Sequence, residues 1–209
     1  MIPVWDLPVR LFHWLVVLLV PLMWWTAEEE MMDLHMLLGK TMLFLVLFRL
    51  IWGLIGSSTA RFASFVRGPA AIRRYLRGEQ RAGVGHSPVG ALSVIALLAV
   101  LSMQVGLGLF ASDEDGDYAG PLSHWVTFDT AETLAERHEQ MFYVLLGLIG
   151  LHLAAILFYL IVRRDNLVTP MIIGARPDGE GAMVAAPAWR LAAAVALAGL
   201  GTWMIVGLL

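Results

Sequence analysis

Apolar residues fall into five long runs that are separated by shorter polar segments. A hydrocarbon core of about 30 Å requires roughly 20 mostly apolar residues in helical form. Five runs meet this length, at about 11–27, 35–56, 89–110, 138–162 and 189–208. The pattern therefore predicts an all-α integral membrane protein with five spanning helices.

Composition supports a membrane protein and narrows the chemistry. Hydrophobic residues make up 59% of the chain and charged residues 15%, and the mean hydropathy is +0.74. A soluble domain has about 45–50% apolar and about 25% charged residues, so an ordinary soluble domain and a disordered chain are both excluded. Nucleic-acid binding is not expected. Without cysteine, disulfides, iron–sulfur clusters and covalent haem attachment are excluded as well.

Charged residues are separated by sign between the two sides of the membrane. Arginines lie in the segments after the second and the fourth run, at positions 61, 67, 73, 74, 77, 81, 163, 164, 176 and 190. The alternate segments carry twelve acidic residues and, of Lys and Arg, only Arg137. Because basic loops stay on the inner side of a membrane, we predict that the N-terminus lies inside and the C-terminus outside.

Two of the segments between the spans have features of their own. Residues 61–81 are expected to form one basic amphipathic helix at the inner surface. Residues 165–188 are rich in Pro and Gly and are expected to be a linker. The fifth span is then expected to be an appendage of the four-helix part.

Four histidines in the spans pair by depth. His138 and His152 are fourteen residues apart, which is about 21 Å and close to four helical turns, so both leave one face of one helix. His35 lies near the outer surface, at the depth of His138, and His13 lies near the inner surface, at the depth of His152. The spacing predicts one cross-helix pair at each level.

Paired imidazoles without thiolates or carboxylates suit a low-spin haem iron, which takes two axial ligands. Zinc requires three or four ligands on one metal. The pairs therefore indicate two haems stacked in a four-helix bundle, a usual place for such cofactors. A proton relay remains an alternative, because ionisable residues inside spans also form relays.

Other residues near the histidines fit the same hypothesis. Gly39 follows His35 by one turn and leaves clearance for a flat macrocycle. Lys40 and Arg49 lie within the second span and, if buried, need anionic partners such as haem propionates. Snorkelling to the headgroups is the alternative for Arg49. His86 is either a substitute for His13, a propionate contact, a hydrogen-bond donor to quinone or a solvated loop residue.

The chain resembles a known family in four stretches. They are VWDLPVRLFHW at 4–14, LHMLLGKTMLFLVLFRLIWGLIGS at 34–57, GHSPVGALSV at 85–94 and RHEQMFYVLLGLIGLHLAAILFY at 137–159. These motifs are similar to the bacterial cytochrome b561 family, and especially to the cytochrome b subunits of nickel–iron hydrogenases. The resemblance implies two non-covalent b haems, with His13 and His152 on the inner haem and His35 and His138 on the outer one.

The resemblance also implies a division of the chain and a function. Residues 1–177 would form the di-haem membrane domain, and residues 178–209 a linker and a fifth helix that short members lack. The protein would transfer electrons between ubiquinone or menaquinone and an outer redox partner. The acidic outer face favours a basic partner such as a c-type cytochrome.

Two other functions stay open. A superoxide:ubiquinone oxidoreductase occurs in the family, although the outer acids would repel the superoxide anion. A membrane-anchoring subunit of a hydrogenase-like complex is the other alternative. Homodimerisation and assembly into an oxidoreductase complex are both open at this point.

Overall fold

The computed structural model describes residues 1–79, 85–177 and 181–207. Among them, five helices are long and apolar enough to cross a bilayer. They are α1 (Leu7–Glu28), α2 (Met32–Ile55), α5 (Pro88–Phe110), α6 (Phe128–Ile161) and α8 (Ala188–Val206). The prediction of an all-α membrane protein with five spans is confirmed.

Helix starts are fixed by capping residues that lie just outside the apolar runs. The Asp6 side chain accepts a hydrogen bond from Val9 N at the start of α1, and Ser87 accepts one from Gly90 N at the start of α5. At the start of α6, Thr127 accepts one from Thr130 N. These caps satisfy backbone donors that have no partner within the helix.

The helix that carries the fourth span begins before the span itself. Helix α6 has 34 residues and begins at Phe128, ten residues before the predicted start. The sequence from 128 to 137 is polar, so it extends the helix beyond the apolar run. His138 therefore lies inside a continuous helix and not at its end.

The long helices pack in a definite order. Neighbouring pairs are α6 with α5, α5 with α2, and α2 with α1. Helix α6 meets α1 and α2 through side chains, since Leu145 shares a buried core with Leu19 and Met42. The three helices that carry the four paired histidines thus surround one core.

Helix α8 packs on α2 and is not the expected appendage. Ala194 and Ala198 are 0% exposed and share a core with Phe48 and Trp52 of α2. The Arg190 guanidinium donates a hydrogen bond to the Ile55 carbonyl at the end of α2, at 3.3 Å. Small residues let two helices approach closely, which explains this contact. The domain boundary after residue 177 stays a prediction.

The segment 165–188 is also more than a linker. It contains α7 (Val168–Ile173) and the short strand β2 (Ala175–Arg176), which pairs antiparallel with β1 (Ile2–Pro3). Gly174 has φ +85°, and a Cβ at this position would lie 2.7 Å from an Arg10 nitrogen. The segment therefore closes tightly on the N-terminus.

The predicted amphipathic helix at 61–81 is broken into two short helices. These are α3 (Phe62–Phe65) and α4 (Pro69–Leu76), and Arg81 lies outside the described residues. Pro69 begins α4 because proline lacks a backbone donor and disfavours helical geometry in the residue before it. The hydroxyls of Tyr75 and Tyr159 are 2.9 Å apart and join α4 to α6.

Acidic and basic residues lie at opposite ends of the molecule, which we call the acidic end and the basic end. The acidic end comprises residues 28–33 and 111–137, and the basic end comprises residues 1–10, 56–79, 85–87, 162–177 and 181–190.

Candidate functional site

His35 on α2 and His138 on α6 face each other near the acidic end. Their ring centroids are 6.2 Å apart, and the ring planes are nearly perpendicular, at 82°. An iron bound by two imidazoles lies about 2 Å from each nitrogen and about 3 Å from each ring centre, which requires centroids about 6 Å apart. The acidic-end pair, His35 and His138, therefore fits a bis-histidine iron site.

Helix α1 fixes the orientation of the His35 ring. The ring nitrogen Nδ1 donates a hydrogen bond to the Met23 carbonyl at 2.9 Å. The hydroxyl of Thr26, which is 0% exposed, lies 3.4 Å from the same nitrogen and donates to the same carbonyl. Because a carbonyl only accepts, the proton is on Nδ1 and Nε2 keeps its lone pair.

Helix α5 fixes the His138 ring in the same way. Nδ1 of His138 donates to the Gln104 carbonyl at 2.9 Å, and the Gln104 amide nitrogen lies 3.2 Å from Nε2. A Cβ at Gly108 would lie 2.9 Å from Cε1 of the ring, so the ring occupies space that only glycine leaves. A backbone carbonyl on the second nitrogen is typical of histidines that bind metals.

His13 on α1 and His152 on α6 form the basic-end pair. The two imidazoles are half-buried and lie within electrostatic range of each other. Nδ1 of His13 is buried and has no hydrogen-bond partner among the described residues. The structure brings these two histidines to one level, as the spacing predicts, but without the carbonyl contacts of the acidic-end pair.

His86 is packed and is not a solvated loop residue. Its ring lies between Trp5, with centroids 4.5 Å apart, and Phe65, with centroids 4.7 Å apart. Burial, and then the nearby charge of Arg49 and the proximity of His152, lower the pKa of His86 to about 3. A neutral imidazole therefore lies beside the basic-end pair at physiological pH.

Arg49 is a buried cation at the basic end. Arg49 is only 3% exposed, so its side chain does not snorkel to the membrane surface. The guanidinium donates to the Ala60 carbonyl at 3.3 Å and lies 5.0 Å from the centre of the Phe62 ring. No carboxylate forms an ion pair with Arg49 within the described ranges. A buried cation of this kind favours an anionic ligand.

Glycines near these groups have different surroundings. Gly53 lies one turn after Arg49, and a Cβ there would collide with the Phe62 ring that covers the guanidinium. At Gly39 a Cβ would meet only Met23 Cε, at 3.8 Å, so open space remains beside His35. Lys40 is exposed. Of the two cations in the second span, the protein itself therefore buries only Arg49.

Sequence analysis missed the residues that orient the acidic-end pair, namely Met23, Thr26, Gln104 and Gly108. One signal was present, because Gln104 is an amide within the long apolar run of α5. Within the part of the chain that the structure describes, no group of three or more His, Asp or Glu side chains could hold a metal ion. The chemistry of the site therefore rests on pairs of imidazoles.

Comparisons with known proteins agree with this chemistry. The family model of prokaryotic cytochrome b561 matches residues 4–174, which include all four paired histidines, His86 and Arg49. Helix α8 lies outside the match. Searches of curated proteins and of solved structures gave no match. Since the family model covers most of the sequence, the chain belongs to the prokaryotic cytochrome b561 family and is a b-type, haem-binding membrane cytochrome of electron transfer.

Proposed function

We propose that the protein binds two b haems and transfers electrons between a quinone, ubiquinone or menaquinone, and a redox partner. The acidic end would face the periplasm and the basic end the cytoplasm, in a bacterial inner membrane. The observation that carries this proposal is the pair of facing imidazoles at 6.2 Å, with one nitrogen of each ring bonded to a backbone carbonyl.

Each histidine pair would hold one haem, and at the acidic end the iron would replace the Gln104 amide at Nε2 of His138. Bound haem supplies the one-electron chemistry, and the protein supplies ligation, orientation and electrostatics. The carbonyls of Met23 and Gln104 hold the rings of the acidic-end pair in a fixed tautomer. The open space beside Gly39 gives clearance next to His35.

Cations and His86 would contact the carboxylates of the haems. At the basic end, Arg49 would neutralise a propionate, since Asp6 acts on its charge from beyond ion-pair distance. We assign His86 to a propionate contact and not to the iron, because Trp5 and Phe65 hold its ring on two sides. Lys40, exposed on α2, would neutralise a propionate near the acidic-end pair.

A basic protein such as a c-type cytochrome would dock at the acidic end. Helix α6 continues for ten residues before His138, which extends it about 15 Å toward the acidic loops. This extension carries Asp129, Glu132 and Glu136. Acidic side chains on this extension would attract a basic partner to the acidic end.

Haem analysis of the purified protein tests the central claim. We expect two haems per chain, all removable by acid–acetone, because no cysteine is available for covalent attachment. His124→Ala is the matched control, since His124 lies in a short 3-10 turn at the acidic end and outside both pairs. One haem per chain, or haem that stays with the polypeptide, would contradict the proposal.

Salt dependence tests the partner. Electron transfer to a basic cytochrome c should slow as ionic strength rises, because screening removes long-range attraction when the Debye length falls to about 8 Å at 0.15 M. Stopped-flow oxidation of the reduced protein measures this rate. A fast reaction with superoxide that salt slows would instead favour the superoxide:ubiquinone oxidoreductase function. Catalytic activity only in a co-purifying assembly would favour the hydrogenase-like anchoring subunit.

A further inference from the structure

Two cavities lie next to each other between α1, α2 and α8 and share part of their lining. The cavity at the basic end measures about 420 Å³, and the second, farther into the membrane span, about 350 Å³. Leu7, Pro8 and Leu191 line both of them. Binding sites for small molecules usually measure about 300–1,000 Å³. We call this feature the α1–α8 groove.

The half of the α1–α8 groove that lies farther into the membrane span is an apolar channel with an aromatic wall. Phe44 and Phe48 line it from α2, and Leu15 and Val195 line it from α1 and α8. The rings of Phe44 and Phe48 are stacked at 6.5 Å, and those of Phe48 and Trp52 at 6.1 Å. From Leu7 to Leu15 the channel extends about 12 Å along α1. These dimensions suit a hydrocarbon tail.

The basic-end half of the groove contains a carboxylate. Asp6 Oδ1 accepts a hydrogen bond from Val9 N, and Oδ2 accepts one from the Trp52 indole, both at 2.9 Å. A carboxylate has about four acceptor positions, so Asp6 has capacity for a further O–H donor. Asp6 is the one charged side chain among the described residues that line the two cavities.

The charge at this end distinguishes between two amphiphiles. A phospholipid would place its anionic phosphate beside the Asp6 carboxylate, which is unfavourable. A hydroquinone would instead donate its hydroxyl to that carboxylate and place its ring near Trp5 and Trp52. Arg49 acts on Asp6 from behind this lining, but Asp6 is the charged group that a ligand in the groove would meet. The lining therefore favours a neutral hydroxyl donor with an apolar tail.

The polar end of the groove adjoins the basic-end pair. Asp6 precedes His13 by seven residues, which is about two turns and about 10 Å along α1. Trp5, which lines the same cavity, contacts the His86 ring. A ligand that binds at Asp6 would thus lie close to the histidines of the basic end.

We propose that the α1–α8 groove is a binding site for an isoprenoid hydroquinone, with its ring hydroxyl on Asp6 and its tail along Phe48 and Phe44. The proposal rests on the proposed function, in which quinone is the membrane electron carrier, and it names the place of binding. Leu191 and Val195 of α8 would form one wall, so the helix outside the family match completes the site.

Variants on the two faces of α8 test the groove in the haem-loaded, full-length protein. Val195→Trp fills the channel, whereas Leu197→Trp adds the same bulk on an exposed face that lines neither cavity. We expect Val195→Trp to raise the KM for decylubiquinol about tenfold, a loss of about 1.4 kcal/mol in binding. Leu197→Trp should leave the KM unchanged, and both variants should keep the wild-type haem content.

A variant of the carboxylate tests the hydrogen bond. Asp6→Asn keeps a residue that caps helices well, so the start of α1 should be preserved. It removes the anionic acceptor, and we expect the KM for decylubiquinol to rise about threefold to tenfold with the haem spectra unchanged.

Photo-crosslinking provides a readout that is independent of electron transfer. An azido-quinone should label peptides from residues 7–15 or 188–195 in the wild type, and Val195→Trp should abolish this labelling. Labelling elsewhere, or equal kinetics in Val195→Trp and the wild type, would overturn the groove proposal. So would a retained phospholipid that Val195→Trp displaces without any change in quinol kinetics. If the wild type holds its haems but no quinol reduces it, the proposed function fails, and crosslinking alone decides whether the groove binds quinone.

Discussion

The two histidine pairs share one ligand chemistry, but the protein supports them differently. At the acidic end, carbonyls from α1 and α5 orient His35 and His138, and the two rings face each other at 6.2 Å. At the basic end, His13 has a buried nitrogen without a partner in the described structure, and Arg49 brings a buried charge close by. One site is thus arranged by hydrogen bonds and the other by packing and charge.

The acidic-end pair is therefore controlled mainly by the orientation of its rings, and the basic-end pair mainly by nearby charge. Backbone carbonyls fix the tautomer and the orientation of a ligand, as is usual for histidines that bind metals. A buried cation acts mainly on the charge of the bound group. We therefore expect the acidic-end site to be sensitive to packing changes and the basic-end site to be sensitive to charge changes.

Removal of a ligand should have the largest effect. His35→Ala should reduce the haem content from two per chain to one and remove only the acidic-end spectrum, because His13 and His152 lie on a separate level. His13→Ala should have the opposite effect. Haem quantitation with redox-resolved spectra measures both, and loss of both haems in either variant would contradict two separable sites.

Removal of the Arg49 charge should have the second-largest effect, and the effect should be confined to the basic end. Arg49→Met keeps the length and apolar volume of the side chain but deletes the guanidinium. Loss of one partner of a buried ionic contact costs about 3–5 kcal/mol, so the basic-end haem should bind at least a hundredfold more weakly. Haem retention during dilution and titration measures this. Arg10→Met, a change at an arginine outside both pairs, is the control and should retain both haems.

One methyl group added beside His138 should have a smaller effect, limited to the acidic-end site. Gly108→Ala places a Cβ 2.9 Å from the His138 ring, and overpacking of this kind costs about 1–3 kcal/mol. Gly106→Ala, two residues earlier, meets no neighbouring atom within 4 Å and is the matched control. We expect Gly108→Ala alone to change the spectrum of the acidic-end haem and to lower the temperature at which the protein releases this haem. Equal behaviour of the two variants would show that the ring is not confined by Gly108.

The amide of Gln104 should have the smallest effect. Gln104→Leu removes the side-chain contact to His138 but keeps the backbone carbonyl that orients the ring. The iron and the amide compete for the lone pair of His138 Nε2. Loss of a competing hydrogen bond of about 1 kcal/mol should therefore strengthen binding of the acidic-end haem about fivefold. A haem titration measures this affinity, and a larger change at the basic-end haem would contradict the assignment of Gln104 to the acidic end.

The membrane makes part of this fold predictable from local sequence. Every spanning helix needs a long apolar run, so the five spans could be located without tertiary information. The start of α6 could not, because a polar segment after Thr127 continues the helix beyond the bilayer. Helix α8 was misjudged for another reason. Small residues such as Ala194 and Ala198 permit a close helix contact but do not specify which helix they meet.

The sequence by itself determined the depth of each histidine, the absence of thiolate chemistry and the separation of charge between the two ends. These properties follow from helical periodicity and from composition, which need no knowledge of neighbours. Only the tertiary structure decided which groups support each pair. The carbonyls of Met23 and Gln104 reach histidines on other helices, and Phe62 covers Arg49 because Gly53 leaves room for its ring. Such contacts join residues far apart in the chain, so they depend on how the helices pack and not on any local pattern.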